Sequence, residues 1–266
     1  MDPQTLAIIF LAIFFSAAAA WAIGWCFTTA YAPIDSLILL LTLFLTRVLW
    51  RVKVPPFPLP TDQGAVIVAN HRSSVDPFFI QIVVGRYVSW MVAREYCEHI
   101  AFRWFLRRAR TIPVNRSGID TAATKMAIRI VSEGGFVGMF PEGRINTTDE
   151  LLLPGRPGAV LIALKGRVPI LPCYIEGAPY GGTAWSPLLI PARVRVRFGE
   201  PIDLSAYYDT AQEPGTVGEI LLGVMSEIAK LAGREDFQPT LAGRRWRWKD
   251  EETEETERSG DASRRL

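Results

Sequence analysis

Two histidines occur in the 266 residues, His71 and His99. The first stands in the stretch NHRSSVD, five positions ahead of Asp76 and directly after the apolar run GAVIVA, residues 64–69. A buried strand ending at Ala69, followed by a helix opening near Ser73 or Ser74, leaves His71 in the connecting turn and Asp76 in the first helical turn. Such a turn folds the two side chains together, so that the carboxylate holds one ring nitrogen while the other points outward. A general base needs that arrangement: a fixed tautomer, and a counter-charge for the imidazolium formed on proton abstraction. The spacing also has a purely structural use. Ser73-x-x-Asp76 matches a capping box, and an acid in a first helical turn suits the helix dipole.

Further polar residues follow other strand-like runs. FPEGR, residues 140–144, places Glu142 and Arg144 at a strand exit, and IPVNR, residues 112–116, delivers Arg116 after another. PGRPGAV, residues 154–160, sets Arg156 just ahead of a helix start. Each arginine alone reads as an ordinary surface residue. Converging at the carboxyl ends of strands, where α/β sites form, the three make a phosphate site, since guanidinium forks and helix-start N–H groups both bind oxyanions. His99, in EYCEHIAFRW, falls in an expected amphipathic helix with no strand exit to place it.

Several chemistries are excluded. There is no G-x-S-x-G elbow for a covalent serine intermediate and no Walker-type phosphate loop. Cys26, Cys97 and Cys173 are scattered without C-x-x-C spacing, so neither a disulfide framework nor a zinc site is expected, and a reducing compartment fits. A net charge of +2 argues against a general nucleic-acid binder. Basic and aromatic residues nonetheless cluster in RWFLRRAR, 103–110, and RRWRW, 244–248, as solvated helix faces or as a surface for anionic head groups or an acidic partner.

The elements that must position these residues alternate along the chain. Apolar runs at 64–69, 87–93, 111–114, 136–140 and 168–175 suit buried strands, and RVRVRF, 193–198, alternates as an edge strand. Between them lie helical patterns. One is capped by Asp120 and stopped by Gly134 and Gly135, a second covers 158–166, and a third runs from Val217 to Leu231. The fold class is therefore α/β, with a mostly parallel central sheet flanked by helices. Ahead of it, Leu6 to Phe27 carry no charge for 22 residues, long enough to span hydrocarbon, and a shorter apolar stretch covers 36–50 before Arg51 and Lys53. Residues 1–53 read as membrane-anchoring helices, either spanning with a cytoplasmic basic flank or inserted as a monotopic hairpin. VPPFPLP, 54–60, reads as a joint, 61–249 as the α/β domain and 250–266 as a charged disordered tail.

Taken in order, NHRSSVD, IPVNR, FPEGR and VPILPCYIEG resemble the four blocks of glycerolipid acyltransferases of the 1-acylglycerol-3-phosphate acyltransferase type, over about residues 64–200. The resemblance implies that His71 and Asp76 are a catalytic dyad and that Arg116, Glu142 and Gly143 help bind the glycerol-phosphate part, with Arg144 and Arg156 nearby. Pro169 and its strand would support the acyl-donor side. It implies transfer of an acyl chain from acyl-CoA or acyl carrier protein to the hydroxyl of a lysophospholipid acceptor, lysophosphatidic acid, with no bound cofactor or metal and no covalent intermediate. It also implies a place on the membrane lipid bilayer with the active site toward the cytoplasm. The third block departs from the family's usual Phe-Pro-Glu-Gly-Thr-Arg-Ser. Here it is FPEGRIN, with Ile145 at the usual arginine place, which bears on the acceptor more than on the reaction. Glycerol 3-phosphate or another lysophospholipid as acceptor, a lipid hydrolase and a non-catalytic lipid-binding protein of the same fold are the alternatives.

Overall fold

The computed structural model describes residues 2–28, 32–55, 63–115, 120–211 and 213–243. Six strands form one sheet: β1 (Ala65–Ala69), β2 (Val88–Ala93), β3 (Ile112–Val114), β4 (Phe136–Met139), β5 (Ile170–Glu176) and β6 (Arg195–Phe198). Their order is β3-β2-β4-β1-β5-β6, parallel throughout except for the antiparallel β5–β6 pair. The helices are α1 (Pro3–Thr28), α2 (Pro33–Val48), α3 (Asp76–Val84), α4 (Arg94–Glu98), α5 (Arg103–Arg108), α6 (Thr121–Ser132), α7 (Gly158–Gly166) and α8 (Thr216–Leu231).

Both faces of the sheet are covered, which is why β1 is apolar at every position rather than at alternate ones. Val66 and Val68 point into a core shared with α6, α7 and α8. Ala65, Ile67 and Ala69 point into the opposite core, with Phe79 and Ile80 of α3 and with Trp50 and Val52. From β1 the chain crosses to β2 on one side of the sheet, and from β4 it crosses to β5 on the other. The turns after these two neighbouring strands therefore diverge and leave a crevice at the carboxyl end of the sheet, where ligands bind in open α/β folds.

The expected strands and the three expected long helices of the domain are present, and Asp120 caps α6 by accepting from the Ala123 N–H at 2.9 Å. The amphipathic helix expected over EYCEHIAFRW, residues 95–104, is broken: α4 ends at Glu98 and α5 begins at Arg103, because His99 turns extended after α4 and its Nδ1 accepts the Ala101 N–H. At the break Phe102 stacks on Trp185, and Phe105 packs edge-on against Phe78.

The N-terminal helices are unlike each other. Residues Pro3–Cys26 are long and apolar enough to cross a membrane, with mean hydropathy 2.5, and lie outside the core. By contrast α2 packs against α3 and is held at both ends. At its start, Asp35 accepts hydrogen bonds from Tyr87 Oη at 2.6 Å and Arg108 Nε at 2.5 Å. Just beyond its end, Trp50 is fully buried, meets Phe79 edge-on and donates through Nε1 to the Pro187 carbonyl. Burying such a ring stabilises the fold by about 3 kcal/mol. Lys53 then pairs in parallel with Arg195 beside β6. Residues 50–53 thus pack as part of the α/β domain. Residues 56–60 of the proline-rich joint, the 244–248 basic stretch and the 250–266 tail lie outside the described residues.

Candidate active site

Asn70 follows β1 and continues its pairing with side-chain atoms. Its amide donates to the Ile175 carbonyl at 2.9 Å and accepts the Ile175 N–H at 2.7 Å. This pins the exit of the central strand, so His71 leaves the sheet at a fixed point. Asp76 opens α3 and is fully buried. Its Oδ2 accepts from His71 Nδ1 at 3.0 Å and from the Arg72 and Ser73 N–H groups at 2.7 Å each. Its Oδ1 is buried with no hydrogen bond. With Nδ1 donating to the carboxylate, the imidazole carries its lone pair on Nε2, the tautomer a general base requires. The capping-box reading holds in part: the acid does reach back to the turn, and the same oxygen that caps it also holds the histidine.

The main-chain donors of this turn are thereby engaged. The N–H groups of Arg72 and Ser73 serve Asp76, and that of Val75 reaches Ser73 Oγ. These three N–H groups are satisfied within the turn itself.

Sequence reasoning missed the second constraint on His71. Its ring lies flat on Phe140, with centroids 3.8 Å apart and planes 5° apart, and Phe140 stacks in turn on Trp90 at 4.9 Å. An aromatic face favours the imidazolium by about 0.5–2 kcal/mol. The stack needs Gly138 below it, since a Cβ there would fall 2.6 Å from the Trp90 ring. The sequence shows Gly138 and Phe140 only as residues at a strand end; the stack follows from β4 lying between β1 and β2.

Glu142, which the resemblance places at the glycerol-phosphate part, faces the main chain. It is fully buried, and its two oxygens accept the main-chain N–H groups of His71 at 2.7 Å and Leu153 at 2.9 Å. Burial pushes its pKa up to about 7, against those hydrogen bonds, which pull it down. A carboxylate so enclosed ties the two turns together and does not face a ligand. Arg72 works alongside it, donating to the carbonyls of Asn146, Thr148 and Glu150, while the Asn146 N–H donates to the His71 carbonyl.

The remaining predicted residues divide. Gly143 is exposed with φ +74°, a conformation that favours glycine. The Arg156 side chain crosses over it, its Cδ and Nε 3.6 Å from where a Cβ would stand, and the Arg156 N–H donates to the Pro141 carbonyl. Arg144 is half-buried in the same turn. Two of the three arginines thus gather at the turn after β4, and Arg116 lies outside the described residues. A cleft of about 560 Å³ is lined by Arg72, Asn146, Tyr174, Glu176 and Tyr180 among others, while His71 and Asp76 are not part of its lining. His99 is remote in role, with its ring against Phe102.

Residues 53–176 match the family model described as Acyltransferase. The chain is 29% identical over 145 residues to a 1-acyl-sn-glycerol-3-phosphate acyltransferase of Bacillus subtilis, an alignment covering 54% of this chain and 69% of that one. It is 28% identical to the protein of the same name from Streptococcus pneumoniae, covering 54% of this chain but only 52% of that one. An uncharacterized protein of Mycobacterium tuberculosis is 29% identical, with 70% of this chain and 60% of the other aligned. The fold resembles the crystal structure of the 1-acyl-sn-glycerophosphate acyltransferase of Thermotoga maritima. The TM-score is 0.59 at 22% identity, over 86% of this chain and 95% of that one.

Proposed function

We propose, from the match of residues 53–176 to the acyltransferase family model, that the protein moves a fatty acyl chain from an acyl thioester to the free hydroxyl of lysophosphatidic acid, giving phosphatidic acid. The observation that carries the reading is the His71–Asp76 pair at 3.0 Å, with Nε2 left to face a substrate at the sheet's carboxyl end.

In this mechanism Nε2 of His71 takes the hydroxyl proton as that oxygen attacks the thioester carbonyl. Asp76 stabilises the imidazolium, and the Phe140 ring beneath adds to that. Collapse of the tetrahedral intermediate breaks the C–S bond, and the thiolate leaves with the proton that His71 returns. Gly143, Arg144 and Arg156 contact the acceptor's phosphate, a suitable task for guanidinium groups on a turn beside the base. Glu142 holds the base in place by its main-chain bond. The donor is acyl-CoA or acyl carrier protein. The protein works at a membrane, with α1 in the bilayer and α2 against it. The basic residues Arg47, Arg51 and Lys53 support a cytoplasmic active site.

The test is transfer from labelled acyl-CoA to lysophosphatidic acid in bilayers, wild type against His71→Ala. Product from the wild type and a loss of roughly a thousandfold or more in the variant is the expected result. Equal rates would remove His71 from the mechanism. Activity confined to another acceptor, such as glycerol 3-phosphate, would move the reading to that substrate. Fatty-acid release without acceptor would make it a hydrolase.

A further inference from the structure

Outside the anchor helices, the largest exposed apolar side chains gather around the α4–α5 break and the 3-10 turn Ser186–Leu189. Leu189 is 83% exposed and Ile100 78%, with Trp104, Trp185 and Tyr96 also open to solvent. They belong to one surface. Phe102 meets Tyr96 edge-on and stacks on Trp185 at 4.4 Å, which joins the break to the turn that carries Leu189. Scattered exposed apolar residues are ordinary, but a contiguous aromatic and aliphatic group of this kind marks an interaction surface.

Charge identifies the partner. Arg103 and Arg107 stand one helical turn apart on α5, both exposed, with exposed Trp104 beside them. Among the described residues no carboxylate pairs with either. Tryptophan, leucine and isoleucine interleaved with arginine match the interface between lipid head groups and acyl chains, where rings sit at head-group depth and arginines meet phosphates. The surface is also continuous with the anchor. Arg108 holds Asp35 at the start of α2, and Phe105 packs on Phe78 of α3. The outward side of α2 is itself an apolar stripe of Ile34, Leu37, Leu41, Phe44 and Val48. On the site side, Ser74 in the dyad turn donates to the Ala184 carbonyl, next to Trp185.

We propose that the surface of Tyr96, Ile100, Trp104, Trp185 and Leu189, with Arg103 and Arg107, is a second membrane contact. It docks on the head-group layer of an anionic bilayer and holds the His71 crevice at the depth where a lysolipid presents its hydroxyl. The proposal rests on the membrane reading above. The helices α1 and α2 hold one edge of the domain, and a contact on its α4–α5 face fixes the tilt of the whole domain against the bilayer.

The experiment places a bimane label at Trp104→Cys, at Leu189→Cys, at Phe14→Cys on α1 and at Met126→Cys on α6. Each full-length protein is reconstituted in vesicles of phosphatidylcholine and phosphatidylglycerol carrying head-group-proximal or deep nitroxide lipids. The expected result is quenching at 104 and 189 by the shallow quencher, quenching at 14 by the deep one, and none at 126. In parallel, Arg103→Gln with Arg107→Gln should raise the apparent KM for vesicle-borne lysolipid by roughly fivefold or more, with a water-soluble short-chain acceptor unaffected.

Labels at 104 and 189 as unquenched as that at 126, with 14 still quenched, would overturn the second contact and leave the anchor standing. An unquenched label at 14 would overturn the membrane reading, and the second contact with it. If the two arginines instead changed KM for acyl carrier protein alone, the surface would be a docking site for an acidic protein, and the proposal would be wrong.

Discussion

The turns that follow β1 and β4 leave adjacent parallel strands at the same end of the sheet, yet they are built differently. After β1, Asn70 is tied to β5, the N–H groups of Arg72 and Ser73 close on Asp76, and the His71 ring lies between that carboxylate and Phe140. After β4, Glu142 points inward to the main chain, while Gly143 is exposed with the Arg156 side chain over it and Arg144 half-buried beside it. The first turn has almost no freedom, and the second keeps flexible side chains at its surface. Proton abstraction demands a base fixed to within a fraction of an ångström. Recognition of a phosphate tolerates adjustment by long side chains. The division implies that damage to the first turn falls on kcat, and damage to the second on KM.

Asp76→Asn strikes the first turn hardest. The amide nitrogen would compete with two main-chain donors and the Nδ1–H for the same space, and the imidazolium would lose its counter-charge. We expect kcat to fall about a thousandfold with KM within a few-fold, measured by initial rates with lysophosphatidic acid. A fall in kcat under tenfold would mean that the carboxylate serves only to cap the helix.

Glu142 joins the two turns, and its effect is read against pH. Its pKa is raised to about 7 in the folded chain from an ordinary value of 4.5. The folded state therefore binds more protons than the unfolded between these values, and stability falls as pH rises from 4.5 to 7. The contribution is present in full below 4.5 and lost above 7, about 3 kcal/mol at most. Denaturation midpoints in detergent should show that slope in wild type, and a flatter one in Glu142→Gln. Identical slopes would mean that Glu142 does not titrate in this window.

Gly138→Ala tests the ring stack without touching a polar group. The added methyl meets the Trp90 ring, which is held by Phe140 and cannot swing aside, so overpacking should cost about 1–3 kcal/mol. Any displacement passes through Phe140 to His71, and kcat should drop while KM holds.

The strands and long helices of the domain were legible because buried parallel strands read as unbroken apolar runs and α6 carries its own cap. So was the pairing of His71 with Asp76, since the six residues between the end of β1 and the start of α3 leave few ways to arrange a histidine and an aspartate. What was not legible depends on neighbours distant in sequence. Glu142 looks the same on paper whether it faces solvent or two N–H groups, and only the β1–β4 adjacency decides it. Phe140 reads as a strand residue until the pairing of β4 with β2 and β1 brings it between Trp90 and His71. At the break between α4 and α5, Phe102 and Phe105 meet partners 83 and 27 positions away.

Arg156 gives the smallest effect and the sharpest test of the division. Its main-chain N–H holds the Pro141 carbonyl whatever side chain it carries, so truncation leaves the backbone of the turn intact. What Arg156→Ala removes is a guanidinium over Gly143, at a half-exposed position where an ionic hydrogen bond to phosphate is worth about 1.5 kcal/mol. KM for the lysolipid should rise about tenfold and kcat stay within twofold. Arg156→Lys separates charge from shape. A lysine keeps the charge but offers a point donor in place of a planar fork, so it should recover part of the lost affinity and leave KM a few-fold high. Full recovery would mean that charge alone is recognised. Should either variant instead lower kcat with KM unchanged, the turn after β4 would be acting on the transition state, and the separation between a catalytic turn and a recognition turn would fail.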